Sequence, residues 1–247
     1  MSRTPRKELT LAQLLPNMLT VAAICAGITA IRMGVQGDYV RAVQLLFIAG
    51  ILDGLDGRLA RLLRSTSAMG AELDSLADFV NFGVAAPMVI YLWGLQDMRH
   101  AGWMAVLFFA VCGVMRLARF NVSAREEGAK GGSGAYFQGL PAPAGALLAM
   151  LPMFFTFAVP GLSQPPAPLV ALYMAGVGFL MISNVPVWSF KKTRISRENV
   201  KFFLLCFACV AAALALFTWG ALIVLCLAYV AVVIWAAVFW YPKDQNK

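Results

Sequence analysis

Residues 51–83 read ILDGLDGRLARLLRSTSAMGAELDSLADFVNFG and place four aspartates near the ends of apolar segments. Asp53 and Asp56 are related by i,i+3 spacing, and Asp74 and Asp78 by i,i+4 spacing. Side chains at these spacings share one face of an α-helix, so each pair lies on a single helical face. The short segment between the pairs favours a tight connection between antiparallel helices. The stretch therefore predicts two antiparallel helices whose acidic faces converge on one site.

The whole chain is unusually apolar for a soluble protein. Its 247 residues are 61% hydrophobic and 13% charged, whereas soluble domains average about 45–50% apolar and about 25% charged residues. A helix needs about 20 mostly apolar residues to cross a bilayer. Eight apolar segments approach that length: 11–33, 39–62, 71–95, 102–120, 139–159, 168–187, 199–219 and 220–240. The sequence therefore predicts an all-α, polytopic transmembrane helical bundle with about eight spans.

The basic residues are distributed unevenly between the two sides of this predicted bundle. With an even number of spans, all of the 20 lysines and arginines except Arg32, Arg41 and Arg99 fall on the side that holds both termini. Loops rich in lysine and arginine stay in the cytoplasm. We therefore expect a multi-pass protein of the cell (inner or cytoplasmic) membrane, with both termini and the four aspartates at the cytoplasmic face. This distribution also accounts for the net charge of +8 without a nucleic-acid partner.

The longest predicted connection is the segment 121–138, NVSAREEGAKGGSGAYFQ. Its glycine and charged residues are typical of a flexible linker. It lacks the GxxxxGK[ST] spacing of a phosphate-binding loop. We therefore expect a mobile cytoplasmic connector here and no nucleotide site.

The residues around the aspartates favour a metal and phosphate site. Four carboxylates that converge repel one another without counter-charge, and hard divalent cations prefer carboxylate oxygens. Gly57 has no side chain, so a ligand can approach the backbone there. Arg61 offers a guanidinium suited to phosphate oxygens. Gly70 lies one turn before Asp74 and leaves further room. We therefore expect this region to bind a divalent cation, which in turn holds a phosphate-bearing ligand.

The pattern Asp53-x2-Asp56-Gly57-x2-Ala60-Arg61-x8-Gly70-x3-Asp74-x3-Asp78 resembles the signature of the CDP-alcohol phosphotransferase family. This resemblance implies a helical bundle, normally a homodimer, that uses a CDP-linked donor and releases CMP. It also implies two divalent cations, Mg²⁺ or Mn²⁺. The resemblance places the six-helix family core at residues 1–190, and residues 191–247 then form an additional C-terminal transmembrane helix pair.

The resemblance also implies roles for individual residues. Asp53, Asp56 and Asp74 correspond to metal ligands, and Asp78 corresponds to a metal ligand that also acts as the general base. The implied binding site for the CDP-diacylglycerol donor contains Pro16, Asn17, Asp53, Gly57, Arg61, Ser67 and Gly70.

Three segments outside the aspartate pattern are similar to the bacterial and archaeal phosphatidylserine synthase branch of the family. They are LPNMLT at 15–20, RLARFN at 116–121 and YFQGLPAP at 136–143. The resemblance implies transfer of the phosphatidyl group from CDP-diacylglycerol to L-serine, in contact with membrane lipids. Serine carries a carboxylate that an arginine suits and an ammonium that oxygen acceptors suit. The candidate serine-binding residues are Arg116, Arg119, Asn121 and Gln138.

Other functions remain compatible with the sequence. Within the family, the acceptor alcohol could instead be glycerol 3-phosphate, inositol phosphate or choline. A cation-coupled transporter would use the aspartates as an ion path, but it predicts polar residues near the middle of several spans. A non-catalytic membrane scaffold is a third alternative.

Overall fold

The computed structural model describes residues 11–65, 67–130, 137–183, 186–187 and 200–240. Most of these residues are helical, as the sequence predicts. The α-helices are α1 (Leu11–Val35), α2 (Tyr39–Leu62), α3 (Ala68–Asp78), α4 (Ala86–Gly94), α5 (Arg99–Lys130), α6 (Ala142–Ala149), α7 (Leu151–Ala158), α8 (Ala167–Ile182), α9 (Val200–Leu216) and α10 (Thr218–Trp240). A π-helical segment, Phe79–Ala85, joins α3 to α4, and a 3₁₀ turn, Gln96–Met98, precedes α5. Two short strands, β1 (Phe137–Gln138) and β2 (Pro186–Val187), pair in antiparallel fashion.

Several helices have the length and composition needed to cross a membrane. Among the described residues, four stretches qualify: Leu14–Val35, Ala68–Gly94, Gln96–Ser123 and Thr218–Trp235. The predicted all-helical fold of a multi-pass membrane protein is therefore confirmed. The total of eight spans and the cytoplasmic location of the termini stay predictions.

The connection after α5 differs from the expected mobile linker. Helix α5 continues without interruption from Arg99 to Lys130. Residues 121–130 are therefore helical, and the prediction of a connector over that part is wrong. The sequence there, NVSAREEGAK, consists largely of residues that a helix tolerates, and its first glycine is Gly128. Of the rest of the predicted linker, residues 131–136 lie outside the described residues, and residues 137–138 form β1.

Two helix boundaries differ from the prediction. One is a break inside a segment that was predicted as a single helix, and the other is a shifted boundary between the last two helices. The segment 139–159 forms two helices, α6 and α7, separated at Met150. Pro152 has no backbone N–H to donate to the carbonyl of residue 148, which favours a break in the helical ladder at this point. In the tail, the break between α9 and α10 falls at Phe217, whereas Gly220 lies inside α10. The expected boundary at Trp219-Gly220 is therefore wrong.

The chain divides into two compact units, residues 1–93 and 94–247. The division falls at residue 93, and the predicted boundary near residue 190 stays a prediction.

In the first unit, one face of α1 consists of small buried residues. They follow a regular four-and-three spacing: Pro16, Thr20, Ala23, Gly27, Ala30 and Gly34. This face packs on α2 and on the π-helical segment. A side chain at Gly27 would overlap the amide oxygen of Asn81, which is completely buried. The small residues therefore allow the close helix packing that brings α1 to the acidic helices.

A tight turn joins α2 to α3. Arg64 adopts a left-handed conformation with φ of 51°, and the Ser65 N–H donates to the Ala60 carbonyl at 2.9 Å. This bond satisfies one of the carbonyls left unpaired at the end of α2. Ser67 then caps α3, because its hydroxyl accepts a hydrogen bond of 3.0 Å from the Gly70 N–H. The local sequence thus stops one acidic helix and starts the next within a few residues.

In the second unit, α5 packs on α8 and α10 packs on α7. Gly178 of α8 allows a close approach to the Phe109 backbone of α5, because a Cβ there would lie 3.4 Å from the Phe109 Cα. The Trp219 ring of α10 lies 4.8 Å from the Phe157 ring and 6.2 Å from the Phe154 ring, measured between centroids. These contacts attach the first turn of α10 to α7.

Candidate active site

Three of the four aspartates form a compact cluster between α2 and α3. Each of Asp53, Asp56 and Asp74 offers a carboxylate oxygen, and these oxygens lie within 4.8 Å of one another. Mg²⁺ binds oxygen at about 2.0–2.1 Å, so two ligands on opposite sides of one cation are about 4.2 Å apart. The predicted convergence of the two helical pairs is thus observed for three residues, and an inward shift of about 0.6 Å at most would let their oxygens reach one small divalent cation.

The cluster has oxygen atoms that lack protein donors. Oδ1 of Asp53 and Oδ1 of Asp56 are buried, and neither accepts a hydrogen bond within the described part of the chain. Asp56 is only 3% exposed. Burial of an ionised carboxylate is costly unless it is paired or coordinates a metal. The cluster is therefore chemically suited to bind a divalent metal.

Asp78 occupies a different position from the other three aspartates. It is the last residue of α3, directly before the π-helical segment. Its carboxyl group lies within hydrogen-bonding reach of the Asp53 carboxyl group. Asp78 thus borders the cluster through Asp53, and its two predicted roles, metal ligand and general base, stay predictions.

A cavity of about 290 Å³ opens beside the cluster. Its size is close to the lower end of the range for small-molecule pockets, about 300–1,000 Å³. The residues that line it are Pro16, Asn17, Thr20, Asp56, Gly57, Ala60, Arg61, Ser65, Ser67, Gly70, Ala71 and Asp74. The structure thus brings every predicted donor-binding residue except Asp53 to one cavity, and Asp53 lies in the adjoining cluster.

The two glycines of this cavity serve different purposes. A Cβ at Gly57 would meet nothing within 4 Å, so this backbone is open to a ligand. A Cβ at Gly70 would lie 3.1 Å from both the Asn17 amide oxygen and the Ser67 hydroxyl. Gly70 therefore permits the close approach of α1 to the start of α3. The Arg61 Nε donates to the Gly57 carbonyl at 3.0 Å, which holds the guanidinium over the cavity wall.

Thr20 is a site residue that the sequence did not single out. It is 3% exposed, and its hydroxyl lies within hydrogen-bonding distance of Asp56 Oδ2. The signals available in the sequence were its place at the end of the LPNMLT segment and its position one turn after Pro16, which put it on the same face of α1. That it meets Asp56, 36 residues away, is visible only in the tertiary structure.

The predicted serine-binding residues lie in the second unit and have different surroundings. Arg116 is buried, and its guanidinium lies 5.6 Å from the centroid of the Phe120 ring. Arg119 is exposed, and its Nη1 donates to the Ile182 carbonyl at the end of α8, at 2.8 Å. Asn121 is a half-buried residue of α5. Gln138 belongs to β1, and its side chain lies outside the described residues. Their convergence on serine stays a prediction.

A comparison with protein families gives the class of this protein. The family model of CDP-alcohol phosphatidyltransferase matches residues 13–183. The chain therefore belongs to the CDP-alcohol phosphatidyltransferase family, and the resemblance that the aspartate pattern carries is confirmed.

Curated relatives share one specific name. The CDP-diacylglycerol–serine O-phosphatidyltransferase of Mycobacterium leprae is 36% identical over 230 residues, 92% of this chain and 76% of that protein. The protein of this name from Helicobacter pylori is 35% identical over 192 residues, 78% of each chain. The one from Bacillus subtilis is 34% identical over 179 residues, 72% of this chain and 92% of that protein. The predicted similarity to the serine-specific branch is therefore confirmed as well.

Proposed function

We propose that this protein transfers the phosphatidyl group of CDP-diacylglycerol to the hydroxyl of L-serine and releases CMP. The observation that carries the proposal is the carboxylate cluster of Asp53, Asp56 and Asp74, which adjoins a cavity lined by donor-site residues. Membership of the family supplies the donor class, and the shared name of the relatives supplies the acceptor.

The aspartates and the cavity residues bind different parts of the donor. Two divalent cations, Mg²⁺ or Mn²⁺, held by the aspartates would neutralise the diphosphate charge of CDP-diacylglycerol. Arg61 supplies a guanidinium to the phosphate oxygens, and Gly57 lets the diphosphate approach the backbone of α2. Asn17 and Ser67 border the same cavity and offer polar atoms to the nucleotide.

The reaction is a single displacement at phosphorus. Asp78 accepts the proton of the serine hydroxyl, and the serine oxygen forms a bond to the phosphorus that carries the diacylglycerol. The bond from this phosphorus to the bridging oxygen breaks, and CMP leaves with that oxygen. Positioning of the two substrates and electrostatic stabilisation supply most of the rate. A covalent enzyme intermediate is not required.

The serine carboxylate is bound by the segment that contains Arg116. Of the four candidate residues, Arg116 has the buried guanidinium that a carboxylate ligand needs in a low-dielectric site. Arg119 supports this segment by its bond to the end of α8. Asn121 and Gln138 complete the proposed pocket with amide groups for the serine ammonium.

The membrane arrangement follows from the same interpretation. We place the site at the cytoplasmic face of the cell membrane, with about eight spans and both termini inside. Serine then arrives from the cytosol, while the acyl chains of the donor stay among the membrane lipids. The protein works as a homodimer, with the catalytic core in residues 1–190 and an added helix pair in residues 191–247.

An acceptor panel tests this function. Purified protein in CDP-diacylglycerol vesicles is given serine, glycerol 3-phosphate, inositol phosphate or choline, each with and without EDTA, and CMP release and lipid products are measured. We expect phosphatidylserine as the product, and we expect EDTA to abolish its formation. Conversion of another alcohol alone would reassign the acceptor, and turnover that survives EDTA would remove the metal from the proposal. Cation transport without CMP release would point to the transporter.

A further inference from the structure

Thr20 links the first helix directly to the acidic cluster. Its side chain is buried on the packed face of α1. The hydroxyl oxygen lies 3.1 Å from the Pro16 carbonyl oxygen and at hydrogen-bonding distance from Asp56 Oδ2. Two acceptors therefore compete for the single proton of this hydroxyl.

The carboxylate is the stronger of the two competitors. A hydrogen bond to an ionised acceptor is roughly twice as strong as one between neutral groups. The Pro16 carbonyl offers only the weak backward contact that threonine makes inside helices. The proton of Thr20 therefore goes to Asp56 Oδ2.

This bond makes the two oxygens of Asp56 unequal. Oδ2 has a protein donor in Thr20, whereas Oδ1 is buried and accepts no hydrogen bond from the described residues. With Oδ2 fixed, rotation of the carboxylate about its last torsion is restricted. Oδ1 is then held as the oxygen that remains for a cation.

We propose that Thr20 is a positioning residue that orients the Asp56 carboxylate so that it binds the cation through Oδ1. This inference rests on the proposed function, because it requires the cation site. Residues that hydrogen-bond to metal ligands commonly change metal affinity about 10- to 100-fold when they are replaced. Thr20 would orient its ligand from α1, whereas the cation ligands themselves lie on α2 and α3.

The orientation of Asp56 should depend on the hydroxyl of Thr20 and not on the shape of its side chain. Thr20→Val keeps the branched shape and removes the donor, so Asp56 loses the bond that orients it. Thr20→Ser keeps the donor and removes a methyl group. We expect Thr20→Val to weaken cation binding about 10- to 100-fold, and we expect Thr20→Ser to retain most of the wild-type affinity.

Helix α1 offers a matched control in Thr29. Its hydroxyl donates to the Cys25 carbonyl at 2.6 Å, which is the same backward contact to the residue one helical turn earlier. Among the described residues, this hydroxyl has no carboxylate partner. Thr29→Val therefore removes a comparable hydroxyl from the same helix, and we expect it to leave cation affinity unchanged.

The experiment measures Mn²⁺ binding directly, without turnover. Wild-type protein and the three variants are placed in phosphatidylcholine nanodiscs that lack CDP-diacylglycerol, and free Mn²⁺ is followed by electron paramagnetic resonance. Thermal unfolding of each sample, without metal, checks that the variants are folded. If Thr20→Val does not fold, Thr20→Cys replaces it, because a thiol is a weaker donor than a hydroxyl, and reduced affinity is again expected.

The outcomes separate this inference from the proposed function. Wild-type affinity in folded Thr20→Val, or equal weakening in Thr20→Ser or Thr29→Val, overturns the role of the Thr20 hydroxyl. Absence of Mn²⁺ binding by the wild-type protein overturns it too. Transfer to serine is measured on the same preparation of wild-type protein, in nanodiscs to which CDP-diacylglycerol has been added. Failure of that transfer, together with the expected order of Mn²⁺ affinities, refutes the serine assignment and supports the role of Thr20.

Discussion

In the first unit, Asp53, Asp56 and Asp74 lie together, and buried oxygens of Asp53 and Asp56 lack protein donors in the described structure. In the second unit, Arg116 and Arg119 are already engaged, one over the Phe120 ring and the other on the Ile182 carbonyl. An acidic cluster without a counter-ion is costly by itself and is suited to a ligand. Arginines with protein partners also stabilise the fold. The i,i+3 spacing of Asp53 and Asp56 therefore indicates a ligand site, whereas the same spacing of Arg116 and Arg119 is also explained by contacts that stabilise the fold.

The strongest test of the acidic region is the substitution Asp78→Asn. The amide would keep the shape of the side chain but could not accept the serine proton, so we expect kcat to fall about 100- to 10,000-fold. Release of CMP is the measurement. Asp97→Asn is the control, because Asp97 is exposed in the turn before α5, and its turnover should be unchanged. Nearly normal turnover in Asp78→Asn would remove Asp78 as the base.

The open backbone of α2 gives the second test. Gly57 and Gly54 both have nothing within 4 Å of an added Cβ, but only Gly57 lines the cavity. Leucine at either position should raise helix propensity equally, by about 1 kcal/mol. We expect Gly57→Leu to displace the donor and lower kcat/KM about 100-fold, and Gly54→Leu to retain activity. Equal losses in the two variants would show that the cavity is not the donor site.

The smallest expected effects compare the two arginines of the second unit. Arg116→Gln should raise KM for serine about tenfold, because loss of a charged hydrogen bond at the low end of its range, about 1.5 kcal/mol, corresponds to about that factor. Arg119→Gln should instead lower the free energy of unfolding by about 1–2 kcal/mol, since the Ile182 carbonyl loses its donor. Serine kinetics and thermal unfolding are measured for both. The reverse pattern, with KM changed only in Arg119→Gln, would transfer the carboxylate contact to Arg119.

Much of the fold could be predicted because hydropathy reports directly on helices in a bilayer. The helical segments and the turn between the aspartate pairs were visible as local patterns. The residues from Pro16 to Gly70 that line the cavity followed from the family resemblance, and their role in binding the donor stays a prediction. The positions at which the helices end were harder to predict. The break at Met150 lies in a segment whose hydropathy is continuous. The extension of α5 over residues 121–130 is charged and adjoins the glycine-rich residues 131–134, so the whole segment had the composition of a linker. Composition measures the average environment of a segment, whereas backbone hydrogen bonding decides where a helix ends.

The sequence by itself determined the membrane class, the pairing of aspartates on helical faces and membership of the family, because these depend on composition and spacing along one chain. Only the tertiary structure decided which side chains meet across helices. In the tertiary structure, Thr20 contacts Asp56 and Asp78 lies beside Asp53. Arg119 donates a hydrogen bond to the end of α8. The physical reason is that such contacts depend on how closely helices pack. On α1 that closeness is set by small residues such as Gly27, whose neighbour Asn81 cannot be inferred from local pattern.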